Sequence, residues 1–360
     1  MNITTNPIYN KYFPANGPTP SDWESFRAFE PLNKKNPKLD FSINTEKTWQ
    51  TTAKTVAITL LKIIILPWGL YEATKGLIDR IAMLAVYPAQ IIFSEKEITT
   101  LRKKLDIILQ VGINTDFIGR EVTLEKEGHR YNGFMLGHSS SISNGKWALF
   151  APGNAVAIEQ IALEPSCLSP YLDAGYNILM VNGPGVGKSQ GLATVNRIGD
   201  AQEAALSFLE SAIKAKQIAM AGQSLGGAAM GLATMKHQFK PDVHYLSLKI
   251  MTFDRLSHIV KKIAGSFASL LIRGFGCEMD TVAASKKLQQ LGIHEVIFQA
   301  EYDEVVEPEV SLLQALQKEN MMENKTASVI PNTTHCHLPN EQIYNELIKW
   351  DQSLAPAEAI

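Results

Sequence analysis

A serine set between two glycines, Gly222-Gln223-Ser224-Leu225-Gly226, constrains this chain more than any other stretch. The apolar run Ile218-Ala219-Met220-Ala221 before it reads as a short buried strand, and the small-residue stretch Gly227 to His237 after it reads as a helix. A strand passing directly into a helix forces the residue at the turn into a strained backbone conformation, and only neighbours without side chains leave it room. Such a turn lifts a hydroxyl above the sheet edge, and the helix N-terminus behind it favours negative charge. The same five residues alone would also suit a Gly-rich turn before a packed helix. The flanking strand and helix single out the nucleophile geometry.

Two further residue types complete that chemistry, and the C-terminal third offers both. Glu295 to Ala300 reads as a buried strand running out into Glu301-Tyr302-Asp303-Glu304. An aspartate just past a strand's C-terminal end sits on the edge where open α/β sheets place their chemistry. The next strand, Ala327 to Ile330, leads into Pro331-Asn332-Thr333-Thr334-His335-Cys336-His337. Serine, aspartate and histidine thus each follow a strand, in the order Ser, Asp, His. Two choices stay open. His335 and His337 are two apart and point to opposite sides of an extended loop; His335, nearer the strand end, is preferred as the base. Asp254, after the apolar run Tyr245 to Phe253, is the alternative acid, or else an ion-pair partner of Arg255 or a cap of the helix that follows.

On these residues the chain resembles the α/β-hydrolase superfamily over roughly residues 120 to 350. Ala174 to Gly191 looks like the superfamily's strand and Gly-rich loop upstream of the nucleophile, and Trp147 to Ala155 like the strand ending in its oxyanion-hole turn. Pro152 stands where that turn usually has histidine. The hole needs backbone N–H groups, so the resemblance assigns it to Leu225 and Asn154. The pattern is similar to the serine-peptidase, monoacylglycerol-lipase-like and BEM46-like branch. The Gly-Asn-Ala turn, Thr252-Phe253-Asp254-Arg255 and the apolar N-terminal extension also resemble the chlamydial CHLPS-type and Legionella lipase-like effectors. The resemblance implies an α/β-hydrolase fold and a serine hydrolase acting on a carboxylic ester of acyl-lipid type. In it Ser224 is the nucleophile, His335 the base and Asp303 the group that orients it. A peptidase or amidase of the same fold, and a non-catalytic protein that binds a partner or membrane, are the alternatives. The effector likeness implies a cytoplasmic protein or one moved into a host cell.

The remaining features narrow the field. A formal charge of −2 gives no reason to expect a nucleic-acid partner. Cys167, Cys277 and Cys336 are too few and too scattered for a disulfide framework or a zinc site, and no cofactor or metal is expected. Cys336 beside His335 lacks an elbow of its own. Gly183-Pro184-Gly185-Val186-Gly187-Lys188-Ser189 looks like a phosphate-binding loop, but Asn182 occupies the position of the first glycine and Pro184 lacks an N–H.

Residues 1–118 read as an extension to a catalytic domain at 119–360. Residues 1 to about 45 are rich in Asn, Pro and Lys and are expected to be irregular, with no signal peptide at the start. Val56 to Tyr71 and Leu77 to Phe93 are apolar but interrupted by charge or proline, so neither reaches the roughly 20 residues of a membrane span. Residues 56–93 are expected to form helices packed on the core. Peripheral membrane contact through Trp68, Tyr71 and their neighbours stays open. Glu95 to Gln110 reads as an amphipathic helix, and Ser257 to Phe275 as a small lid.

Overall fold

The computed structural model describes residues 39–43, 76, 77, 87, 89–111, 117–138, 140–163 and 165–354. Among the described residues nine strands form one sheet: β1 Leu39–Ile43, β2 Phe117–Lys126, β3 His129–His138, β4 Lys146–Ala151, β5 Asn177–Val181, β6 Gln217–Gln223, β7 His244–Ile250, β8 His294–Ala300 and β9 Lys325–Ile330. Their spatial order is β1-β2-β3-β5-β4-β6-β7-β8-β9. The β2–β3 and β3–β5 pairs are antiparallel and all others parallel. The helices that bear on the site are α1 Glu95–Val111, α2 Ile158–Leu163, α3 Val195–Phe208, α4 Leu225–Lys236, α5 Leu256–Gly274, α6 Thr281–Gln290 and α7 Asn340–Leu354. This is the α/β-hydrolase fold.

The expected hairpin around Gly128 is present. Glu127 and Gly128 both take positive φ, 52° and 76°, which matches the right-handed twist of the strands they join. From β4 to β8 the strands are parallel and covered on both faces, so they are buried almost throughout. Alternation then sorts residues to opposite sides. Ala148 and Phe150 of β4 join Tyr171, Phe298 and Leu347 on one face, while Trp147 and Leu149 join Phe208, Met220 and Met230 on the other.

One expectation fails. Leu39–Ile43, read as irregular, forms an edge strand parallel to β2, with Leu39 opposite Val122 and Ile43 opposite Lys126. Its pairing partner lies some eighty residues downstream, beyond the reach of any local pattern. Trp68 and Tyr71 lie outside the described residues. Of the second apolar run, Ala89 and Phe93 are buried with Ile98, Ala157 and Val186, whereas Leu77, Ile91 and Ile92 are exposed. No described helix is long and apolar enough to cross a membrane.

Candidate active site

β6 delivers Ser224 at the first turn of α4. Its φ of 51° and ψ of −120° are the strained conformation expected of the elbow. Its N–H donates to the Ile250 carbonyl at 2.8 Å, which ties the turn to the end of β7. The flanking glycines are sterically required. A Cβ on Gly222 would lie 2.6 Å from backbone atoms of Gly226 and Gly227, and one on Gly226 would lie 2.1 Å from the Ala151 carbonyl oxygen.

Asp303 and His335 come together beneath the same sheet edge. His335 Nδ1 lies 2.8 Å from Asp303 Oδ1 and 3.0 Å from Oδ2, and both residues are buried. The carboxylate is fixed on its other sides. Val305 and Val306 donate backbone N–H groups to Oδ1 at 3.0 and 2.7 Å, and Gln299 Nε2 donates to Oδ2 at 3.0 Å. These partners leave the carboxylate little freedom except to hold the imidazole. The histidine loop is pinned as well: Glu304 Oε2 accepts the His335 N–H at 3.1 Å, and Gln223 Nε2 donates to the His335 carbonyl at 3.4 Å. The second contact joins the histidine loop to the residue before Ser224. Backbone N–H groups of Glu304 itself and of His335 hold the Glu304 carboxyl below the usual range.

The alternatives sit elsewhere. His337 is exposed, with Nδ1 3.1 Å from the Thr334 hydroxyl. Asp254 is buried beside a different histidine, its Oδ2 2.6 Å from His258 Nδ1, while Oδ1 accepts the Arg255 N–H at 2.6 Å. Burial raises its pKa against the pull of His258. Arg255 pairs instead with Asp280, at 3.2 Å.

Leu225 opens α4, so its N–H has no acceptor within the helix. A cavity of about 20 Å³, room for a water molecule, is lined by Leu225, Gly226, Pro152 and Gly153. A Cβ on Gly153 would lie 3.7 Å from Ser224 Cβ, so this turn abuts the serine. Asn154 is exposed, and its side chain accepts the Ala155 N–H at 2.8 Å.

Sequence reasoning missed how far the extension enters this wall. Tyr87 and Gln202 also line the cavity. The Tyr87 hydroxyl accepts the Gly183 N–H, and burial pushes its pKa up. Gly187 donates its N–H to the Phe93 carbonyl at 3.0 Å, and a Cβ there would lie 2.6 Å from Ile98. The glycine loop that looks like a phosphate cradle is therefore the seat of Tyr87, Gln90, Phe93 and Ile98. Deeper, Arg102 of α1 is buried against Glu121 of β2 (2.6 Å) and Glu159 of α2, with Nε 2.8 Å from Glu159 Oε1. Glu159 Oε2 in turn accepts from Asn182 Nδ2, at 2.9 Å, at the end of β5. Among the described residues no group of His, Cys, Asp and Glu is arranged to hold a metal ion.

The family model of the Chlamydia CHLPS protein (DUF818) matches residues 47–350. The chain belongs to that family. No curated protein matches its sequence. Among solved structures it is similar to an α/β-hydrolase from Vibrio vulnificus, with 17% identity, a TM-score of 0.48, and 66% of this chain and 80% of that one covered. It is also similar to the Pyrococcus furiosus esterase Pf2001, with 14% identity, a TM-score of 0.47, and 65% and 90% covered. Est1E from Butyrivibrio proteoclasticus, bound to ferulic acid, gives 14% identity, a TM-score of 0.47, and 64% and 98% covered.

Proposed function

We propose that the CHLPS-family protein is a serine hydrolase that cleaves a carboxylic ester, of acyl-lipid type, through an acyl-enzyme. One observation carries the reading: a buried His335–Asp303 pair on a loop bonded to the residue preceding a strained elbow serine. With Nδ1–H donated to Asp303, the imidazole keeps its Nε2 lone pair free to take a proton. Ser224 Oγ attacks the ester carbonyl carbon as His335 accepts the hydroxyl proton. The imidazolium, stabilised by Asp303, then returns that proton to the departing alcohol. Water enters by the same route in reverse and frees the acid. Oxyanion charge falls to the Leu225 N–H and to the Pro152–Asn154 turn, with Asn154 N–H as the second donor.

An acyl-lipid ester is favoured by the apolar character of the extension and by the exposed apolar residues Tyr302 and Val305 beside Asp303. The triad itself serves amides equally well. Turnover of a short soluble ester, set against the matching amide, tests the assignment. Ester hydrolysis that vanishes in folded Ser224→Ala protein is expected. Faster amide cleavage would make the chain a peptidase or amidase instead.

A further inference from the structure

Helix α5 leaves the end of β7 and covers the region expected to form a small lid. Its base is anchored at the site. Ile259 and Val260 pack against the cluster that contains Leu225, Ala228 and Val306. Lys262 pairs with Glu307, four residues past Asp303, and its Nζ lies 3.6 Å from Glu309. Beyond that anchor the helix is broken and exposed. Gly265 breaks it with a φ of 84° and has nothing within 4 Å of where a Cβ would stand. Residues 261–267 are all exposed. On the two sides of the break Ile263, Phe267 and Leu270 are 80%, 74% and 64% exposed.

The helix that carries these apolar residues is itself cationic, and two carboxylates, Glu307 and Glu309, meet it at Lys262. The helix holds Lys261, Lys262 and Arg273 and contains no Asp or Glu. The neighbouring acids are occupied at its base: Glu307 and Glu309 by Lys262, Asp280 by Arg255, and Glu278 by the Ser257 N–H. Lys261 and Arg273 are exposed, and no ion pair engages either among the described residues. A face of three side chains falls far short of the roughly 800 Å² per partner that a stable dimer buries. Exposed apolar side chains on a helix whose own charges are all cationic instead match the interface of an anionic bilayer, where apolar groups enter the acyl boundary and lysines meet headgroups.

We propose that the α5 tip docks on an anionic phospholipid surface and so sets the mouth above Ser224 against lipid. The choice of lipid as occupant rests on the esterase reading, but docking is measurable without catalysis. Full-length Ser224→Ala protein is floated with mixed phosphatidylcholine–phosphatidylserine vesicles and, separately, with pure phosphatidylcholine. Binding to the mixed vesicles is expected, weakening as salt is raised. Ile263→Asp with Phe267→Asp lowers it by at least about tenfold, and Lys261→Glu by about fivefold. With Ser224 restored, the same variants keep wild-type melting temperature and wild-type hydrolysis of a short soluble ester, because the altered side chains are exposed. Absence of binding overturns the proposal, as does binding that survives the double substitution, which would move the contact elsewhere, residues 56–93 included. A dimer dissolved by the double substitution would make a second copy the occupant and likewise overturn it. Vesicle binding without ester hydrolysis would leave docking standing and remove the esterase reading.

Discussion

Gly226→Ala separates catalysis from folding at the elbow. The added methyl would stand 2.1 Å from the Ala151 carbonyl oxygen and 2.4 Å from that of Pro152. Both oxygens are backbone, so the clash is relieved only by moving α4 away from the end of β4 and the turn that follows it. Overpacking of this kind costs roughly 1–3 kcal/mol, which a domain of this size survives. The movement falls on the gap between the Leu225 N–H and the Pro152–Asn154 turn. Losing one oxyanion donor costs about 2.7–4 kcal/mol of barrier, or roughly 10²–10³ in kcat. The expected variant is thus folded, melts a few degrees lower, and turns over a short ester at least about a hundredfold more slowly with little change in KM. Gly231→Ala on the same helix is the control. Its methyl would meet the Ala284 Cβ at 3.3 Å and Thr281 at 3.7 Å but no backbone closer than 3.9 Å, and alanine is the better helix former by about 1 kcal/mol. It should keep activity and stability. A folded Gly226→Ala protein with wild-type kcat would refute the oxyanion assignment.

Further outcomes follow from other sites. His335→Ala should lower kcat by several orders of magnitude and His337→Ala by far less, measured on a soluble ester; the reverse ranking would move the base role to His337. Arg102→Ala leaves Glu159 buried without its cation and should destabilise by about 3–5 kcal/mol in urea unfolding; a loss below about 1 kcal/mol would make α1 a peripheral attachment. Lys249, buried in β7 with Nζ donating to the Gly227 carbonyl at 2.8 Å, is pushed down by burial to about 8. The unfolded chain therefore binds more protons between pH 8 and 10.5, and stability rises with pH across that window. Lys249→Met should flatten the rise in unfolding experiments run at several pH values, and an unchanged slope would contradict the burial argument.

What was legible in the sequence follows from how local each constraint is. The elbow shows because strand, glycines and small-residue helix are contiguous from Ile218 to His237. Asp303 and His335 show because each follows a buried strand, and chain order does the rest. Asp254 satisfies the same positional rule, and only the fold reveals that its histidine is His258. β1 was hidden because its apolar–polar alternation, Leu39-Asp40-Phe41-Ser42-Ile43, spans only five residues within an Asn-, Pro- and Lys-rich stretch, and its pairing partner is distant. The Arg102, Glu121 and Glu159 cluster joins three elements across 57 residues, so no periodicity reports it. The glycines from Gly183 to Gly187 look like a phosphate-binding loop in the sequence. What approaches is Tyr87, Gln90 and Ile98 rather than a phosphate.

The central claim is that His335 and Asp303 activate Ser224, and covalent labelling by a fluorophosphonate tests it without knowledge of the substrate. A single adduct is expected, located on Ser224 by mass spectrometry. Folded Ser224→Ala protein should form none, and in Asp303→Asn labelling should slow by about 10⁴-fold. Equal labelling of the Ser224→Ala protein, or an adduct placed on another residue, would contradict it.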